Sequence, residues 1–282
     1  MPPRAPAPRL SAPAPAVARL PTKQFSVAPW TGSGSGEKVI LYGPSGQGKT
    51  TLASTAPGPV FIGVDDGGRK IVNPKTSQPI LHVPGIETFA DVRAALDSSV
   101  FDDYRSIVID TITVVQDMTM PHMLAHIPHE KGHKVSRFED YGYGKGYGHM
   151  YELMHGLLAS MDRHINAGRN VILLAQFRGS MRGNEGGEDY MVAGPALYPG
   201  GKKGQYNIQS MYCEWADHIF RIDWENAIVK DGKVAPVSSR VIRVHRDATF
   251  EAKSRTLGAD CAAVTFTGPK DDSIWQLLFG GE

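Results

Sequence analysis

One stretch near the start of the chain constrains the fold more than any other: EKVILYGPSGQGKTTLAS, residues 37–54. An apolar run at 39–42 leads into a complete G-x-x-x-x-G-K-T sequence, and a helix-forming segment follows. A loop between strand and helix points backbone N–H groups inward, and its glycines leave room where a Cβ would clash with phosphate. The sequence therefore predicts a phosphate-binding loop of Gly43, Pro44, Ser45, Gly46, Gln47, Gly48, Lys49, Thr50 and Thr51.

Two side chains of this loop have predicted chemical roles. Lys49 should reach the β- and γ-phosphates of a nucleotide, and the Thr50 hydroxyl should ligate Mg²⁺. A second apolar run, RSIVIDT at 105–111, ends in Asp110, which is where such proteins place a carboxylate that holds the same ion. The predicted site is thus a Mg²⁺-dependent ATP or GTP site with Thr50 and Asp110 as the metal ligands.

The rest of the chain alternates apolar runs with helical patterns. Strands are predicted at 59–68, 80–83, 105–111 and 170–176, and helices at 88–96, 149–168 and 271–279. Thr88 and Asp91 begin the first of these helices as a capping box, and VKDGKV (229–234) predicts a late β-hairpin that turns at Asp231-Gly232. This alternation predicts an α/β fold with a mostly parallel central sheet flanked by helices.

The first 36 residues differ from the remainder in composition. They consist mainly of Pro, Ala and Arg before a TGSGSG segment, and they contain four basic residues and no acid, so a net charge of +1 overall leaves −3 for the rest. Such a segment cannot bury enough apolar surface to fold alone. We predict a disordered tail and linker over 1–36 and one folded domain over 37–282.

With the strand ending at Gln176 in place, the order of parts resembles the RecA-like recombinase core. The segments VDDG, EDYGYGKGY, EWADHIFR and FEAKSR are similar to a family of phage-encoded RecA-like ATPases associated with single-strand annealing and recombination. The similarity covers roughly residues 37–265. It implies a RecA-like P-loop NTPase core, Mg²⁺-dependent ATP hydrolysis, and a ring or filament with ATP between subunits.

The resemblance also assigns roles to single residues, in addition to Lys49 and Asp110. Asp65 would activate the attacking water, with Asp66 as a substitute; the alternative is that both only solubilise a strand end. Gln176 would sense the γ-phosphate, or its amide would only satisfy backbone groups. Lys253 and Arg255 would reach the neighbouring subunit's ATP, or they would be the solvent-side charges of an exposed strand.

Two loops of the RecA-like layout hold DNA. Cations neutralise phosphates, tyrosines stack on any base, and glycines let a loop adapt, which suits single strands. The alternative for the Tyr-Gly segment 138–151 is a turn whose tyrosines pack against the body. Acidic residues Glu185, Glu188 and Asp189 weaken the field of the second loop. The predicted DNA-binding residues are Lys131, Lys134, Arg137, Tyr143, Lys145 and Tyr147 in the first loop and Arg178, Arg182, Lys202 and Lys203 in the second.

The sequence thus leads to a first hypothesis and a second. The first is a phage ATPase that binds single-stranded DNA, forms a homo-oligomer, works with a single-strand DNA-binding protein or other recombination protein, and supports recombination, repair or replication. The second is a P-loop ATPase that acts on a protein partner, as a loader or packaging accessory. A small-molecule kinase would need an arginine-rich lid segment, which the sequence lacks. Two distant cysteines and no apolar run of membrane length predict a cytoplasmic protein, in the host cytoplasm if phage-encoded.

Overall fold

The computed structural model describes residues 1, 27, 34–64, 66–184, 186–201, 204–225, 229–230, 233–234 and 239–280. The strands are β1 (Lys38–Tyr42), β2 (Pro59–Gly63), β3 (Ser106–Asp110), β4 (Asn170–Ala175), β5 (Phe177–Arg182), β6 (Tyr190–Pro195), β7 (His218–Trp224), β8 (Val229–Lys230), β9 (Lys233–Val234), β10 (Arg240–Arg243) and β11 (Ala263–Phe266). The α-helices are α1 (Lys49–Ser54), α2 (Phe89–Leu96), α3 (Ile112–His126), α4 (Lys145–Asn166), α5 (Ile208–Trp215) and α6 (Ser273–Phe279). Short 3-10 helices lie at Asp66–Lys70 and Phe138–Tyr141.

Within the described residues, the main sheet has seven strands in the order β11-β10-β7-β1-β4-β3-β2. Strands β7, β1, β4, β3 and β2 are parallel, whereas β10 and β11 extend the β7 edge in antiparallel pairs. Because the parallel strands share one direction, the residues that follow β1, β3 and β4 meet at one edge of the sheet. This is where the predicted site residues are concentrated.

Both faces of the sheet are covered by helices. In β1, Ile40 packs with residues of α2, α3, α4 and α5, whereas Val39 and Leu41 pack with residues of α1 and α6 on the other face. A strand buried on both sides reads as a continuous apolar run, and this is why VILY signals β1 so clearly. The α/β fold, the mostly parallel sheet and its flanking helices are confirmed.

Several local predictions are confirmed as well. The Thr88 side chain and the Asp91 carboxylate form the predicted capping box at the start of α2. The terminal helix α6 buries Trp275, whose indole N–H donates to the Leu52 carbonyl of α1 at 2.8 Å. Strands β8 and β9 form the late antiparallel hairpin, while its predicted turn, Asp231-Gly232, lies outside the described residues.

The strand predicted at 80–83 is wrong. This segment makes an isolated bridge between His82 and Phe61 of β2, and Leu81 is 57% exposed. Pro79 and Pro84 flank it, and neither has a backbone N–H to extend a ladder.

The helix predicted at 149–168 begins earlier, at Lys145, and ends at Asn166. Its first turn therefore includes glycines, a residue type that weakens a helix interior. A Cβ on Gly146 would lie 2.9 Å from the Phe138 ring, so glycine is what lets this ring pack against the helix. Close packing at Gly146 and Gly148 thus accompanies the early start of α4, whereas Gly142 and Gly144 have no atom within 4 Å of an added Cβ.

Two elements were not predicted from the sequence. Helix α3 follows β3 directly, with Thr111 as its N-cap and Pro121 inside it. Strands β5 and β6 form an antiparallel hairpin in the predicted second DNA loop, 177–209, which is therefore more ordered than a loop.

The chain from Gly34 onward forms one compact unit. The predicted tail over 1–36 and its boundary remain predictions, because residues 2–26 and 28–33 lie outside the described part of the chain. No helix among the described residues is long and apolar enough to cross a membrane.

Candidate active site

The phosphate-binding loop connects β1 to α1 at the carboxyl edge of the sheet. Gly46 and Gly48 have φ angles of 77° and 89°, in the left-handed region that glycine adopts at little cost. Lys49 donates from Nζ to the carbonyl oxygens of Gly43 and Pro44, at 2.9 Å each, so its amine lies across the loop. This curved, glycine-rich backbone with a lysine over it fits the phosphates of a nucleotide.

The predicted metal ligands are in direct contact. The Thr50 hydroxyl donates to Asp110 Oδ2 at 2.7 Å, and Asp110 is 5% exposed at the end of β3. Hydroxyl and carboxylate oxygens are hard ligands of the kind Mg²⁺ prefers, so the pair fits this ion. Thr50 and Asp110 would hold this ion, which would supply positive charge to neutralise the phosphates of a nucleotide.

Gln176 follows β4, which lies between β1 and β3 in the sheet. Its backbone N–H donates to the Thr113 hydroxyl of α3 at 3.1 Å, and its side chain is exposed. The residue thus lies between the phosphate-binding loop and Asp110, and the β5–β6 hairpin begins immediately after it. This placement is compatible with the predicted role in sensing the γ-phosphate, which stays a prediction.

Asp65, the predicted water-activating carboxylate, lies outside the described residues. The backbone just before it is described: the Val64 N–H donates to the Asp110 carbonyl at 3.0 Å. The roles of Asp65 and of its substitute Asp66 therefore remain predictions.

Lys253 and Arg255 lie toward the opposite end of the sheet. Lys253 forms a bridge with Ile219, which pairs with Ile40, three residues before the phosphate-binding loop starts at Gly43. At about 3.3 Å per residue, that places the Lys253 backbone on the order of 10 Å from the loop along the strand direction. Within one chain, these cations are therefore remote from the phosphate-binding loop.

Their side chains have partners within the chain. Lys253 Nζ donates to the Cys213 carbonyl at 2.6 Å, and burial, followed by the nearby charge of Arg255, lowers the pKa of the lysine. Arg255 forms an ion pair with Asp217 at 3.3 Å and is largely exposed. To act on a neighbouring subunit, Lys253 would have to leave the end of α5, whereas Arg255 is already accessible.

The predicted first DNA loop divides into packed and exposed parts. Tyr141 is buried, and its hydroxyl lies 2.9 Å from the carbonyl oxygens of both Met123 and Ile127. Tyr143, two residues on, is fully exposed with a φ of 44°. The packing alternative thus holds for Tyr141, while Tyr143 is available to a ligand.

The two predicted DNA loops meet at an aromatic pair. Tyr147 stacks on Tyr198 with ring centroids 4.5 Å apart and planes at 9°, and the edge of Tyr206 lies 3.3 Å from where a Cβ on Gly148 would be. Tyr147 and Tyr206 remain 37% and 44% exposed. Sequence analysis did not single out Tyr198 as the contact between the loops.

The cations of this region differ in their pairing. Lys131, Lys134 and Arg178 are exposed. Arg137 is exposed too but is ion-paired with Asp140, as Lys145 is with Glu130 and Arg182 with Glu251. The hydrogen bond from Lys145 lowers the pKa of Glu130. Lys202 and Lys203 lie outside the described residues, so their DNA-binding role also remains a prediction.

One residue at the site has no signal in the sequence. Arg240 of β10 donates from Nη1 to the Gln47 carbonyl of the phosphate-binding loop at 2.7 Å. It lies 193 positions along the chain from Gln47, so only the pairing of β10 beside β7 places it there.

A glycine-rich phosphate loop, a threonine–aspartate pair and a central parallel sheet together define a P-loop NTPase. Residues 35–256 match the model of the AAA_24 family, described as an AAA domain, and the chain belongs to that family.

Two solved structures are similar to this chain. The flagellar accessory protein FlaH of Methanocaldococcus jannaschii is 11% identical, with a TM-score of 0.40 over 82% of this chain and 85% of that one. The KaiC-like protein PH0186 of Pyrococcus horikoshii OT3 is 14% identical, with a TM-score of 0.42 over 84% and 88%. No curated protein matches the chain.

Proposed function

We propose that this protein is a Mg²⁺-dependent ATPase that binds single-stranded DNA and supports phage DNA recombination, repair or replication. The observation that carries the ATPase part is the Thr50–Asp110 contact beside the phosphate-binding loop. It brings together a hydroxyl and a carboxylate that lie 60 positions apart in the chain, and these are ligand types that Mg²⁺ prefers. The phage setting and the recombination role rest on the sequence resemblance alone.

The DNA part rests on the surface around the Tyr147–Tyr198 stack. This surface combines exposed tyrosine rings with the exposed basic side chains of residues 131–137, a segment that contains no acid, and Arg137 in it lies 3.9 Å from Asp140. Exposed rings offer stacking platforms to any base, and exposed cations track the phosphates. Pairing of Lys145 and Arg182 with carboxylates reduces the net field, so we expect moderate, strongly salt-dependent affinity.

The proposed assembly is a homo-oligomer with ATP between subunits. Lys253 and Arg255 support it because they lie away from their own phosphate-binding loop and close to the amino end of the sheet. A catalytic role for either residue therefore requires a second copy of the chain. A single-strand DNA-binding protein or another recombination protein is proposed as a further partner.

The test is direct binding of a fluorescent oligo(dT) followed by anisotropy. Replacing Tyr143, Lys145 and Tyr147 together with Ala should weaken binding by about tenfold or more, because each stacked base contributes about 1–3 kcal/mol. A matched control removes two cations elsewhere, Lys75 and Arg93, and should bind as wild type does. Equal affinity of the wild-type and triple-variant proteins would refute the proposed DNA surface.

A second candidate function, action on a protein partner, is favoured by one observation. Met181 and Met191 are directly opposite in the β5–β6 hairpin and are 61% and 60% exposed. Flexible, exposed methionines suit an apolar protein surface better than a phosphate backbone. If replacing both with Ser leaves oligo(dT) binding unchanged but abolishes capture of a recombination protein, the hairpin serves the protein partner.

A further inference from the structure

Arg240 contacts the phosphate-binding loop from β10, a strand that lies far from the loop in the sequence. Its Nη1 lies 2.7 Å from the Gln47 carbonyl oxygen, and a Cβ on Gly48 would lie 2.7 Å from the same nitrogen. Gly48 is therefore needed both for its left-handed backbone, at φ 89°, and for the close approach of the arginine.

The ring of Phe266 holds the Arg240 guanidinium in its orientation. Arg240 and Phe266 are directly opposite in the β10–β11 pair, and the guanidinium carbon lies 4.4 Å from the centre of the Phe266 ring. Phe266 is 2% exposed and belongs to the core, so it does not move away from the arginine. A planar cation stacked on a buried ring keeps its donors aimed in one direction.

The consequence for the loop follows from peptide geometry. In a trans peptide the carbonyl and the N–H point in opposite directions. Holding the Gln47 carbonyl toward Arg240 therefore turns the Gly48 N–H, which belongs to the same peptide, away from the arginine. We propose that Arg240 is a positioning residue that fixes the Gln47–Gly48 peptide so that the Gly48 N–H faces bound phosphate.

This inference rests on the proposed binding of nucleotide at the loop. If Arg240 fixes the Gln47–Gly48 peptide, its removal should weaken the binding of every ligand that carries the phosphates, because this peptide contacts phosphate and not the base. Phosphate affinity should fall when the arginine is removed, whereas the core packing of Phe266 remains.

The test compares ATP and pyrophosphate binding by calorimetry, both with Mg²⁺, in the full chain. In Arg240→Ala, we expect both dissociation constants to rise about tenfold, the effect of losing one charge-assisted hydrogen bond. Arg240→Lys keeps the charge but lacks the planar fork, and should recover part of the loss. The matched control is Arg243→Ala, from the same strand, whose guanidinium lies 5.7 Å over Phe250; it should bind as wild type does.

Thermal unfolding separates positioning from folding. Reduced affinity at an unchanged midpoint, with partial recovery in Arg240→Lys, supports the inference. Wild-type affinity for both ligands in Arg240→Ala would overturn the inference. Weaker ATP binding with unchanged pyrophosphate binding would also overturn it, because that result would indicate that Arg240 contacts the base or the sugar. If Arg240→Ala does not fold, Arg240→Lys decides: wild-type affinity there contradicts the inference. A wild-type protein that binds neither ligand would refute the proposed function itself, and the inference with it.

Discussion

Tyr141 and Tyr143 are two residues apart, and the structure predicts opposite consequences of changing them. The Tyr141 ring is 2% exposed, and its hydroxyl lies 2.9 Å from the carbonyl oxygens of Met123 and Ile127. The Met123 carbonyl also accepts the Ile127 N–H within the last turn of α3. Tyr141→Phe therefore costs mainly the hydroxyl's bond at the end of α3, about 1–1.5 kcal/mol of the free energy of unfolding.

Tyr141→Ala should cost more, roughly 3–5 kcal/mol, because it also leaves a cavity where the ring was. Tyr143 is fully exposed, so Tyr143→Ala should change the free energy of unfolding by less than about 0.5 kcal/mol. Urea denaturation followed by circular dichroism measures all three variants, and similar m-values would show that only stability changed. A Tyr143→Ala protein as unstable as Tyr141→Phe would refute the division of this segment into packed and exposed residues.

Three further predictions concern catalysis and stability. Lys49→Ala should abolish ATP turnover, and Asp65→Asn should slow it about a hundredfold with nucleotide binding largely intact; unchanged turnover in the latter would transfer the role to Asp66 or elsewhere. The Lys253→Ala, Arg255→Ala double variant should be inactive, and mixing it with Lys49→Ala should restore part of the turnover if the cations act across an interface; a mixture no better than its parts would contradict this. Burial alone would raise the pKa of Asp271, but hydrogen bonds from Ser273 and Thr267 outweigh burial and lower the pKa to about 2. The ionised carboxylate therefore contributes its full stabilisation above about pH 4, and this part of the free energy of unfolding should be lost as the pH drops toward 2. Because the carboxylate is partly exposed, we expect the free energy of unfolding to fall by about 1 kcal/mol over this pH range in the wild type and to stay constant in Asp271→Asn. The same pH dependence of stability in both proteins would refute the role of Asp271.

The sequence predicted the elements whose signal is local. Strands β1, β3 and β4 are buried on both faces and read as unbroken apolar runs, and the phosphate-binding loop has a fixed spacing between β1 and α1. Asp110 could be paired with Thr50 because the motif order implies that their strand ends share one edge of the sheet.

Elements that depend on distant packing were not predictable in the same way. Helix α3 carries Pro121 and histidines and lacks a clear apolar stripe, so its pattern does not indicate a helix. The early start of α4 depends on Phe138 filling the space over Gly146. Arg240 reaches the phosphate-binding loop only because β10 pairs beside β7, which no short-range pattern indicates.

Steady-state ATP turnover titrated with oligo(dT) measures whether the protein couples ATP hydrolysis to single-stranded DNA, as we propose. We expect saturable stimulation that weakens steeply between low and moderate salt, because binding of DNA phosphates by the exposed cations at 131–137 would release counterions. The triple variant of Tyr143, Lys145 and Tyr147 should keep its unstimulated turnover and require more DNA for the same gain. Turnover that is unaffected by oligo(dT) at any salt concentration, in a protein that hydrolyses ATP, would contradict the claim.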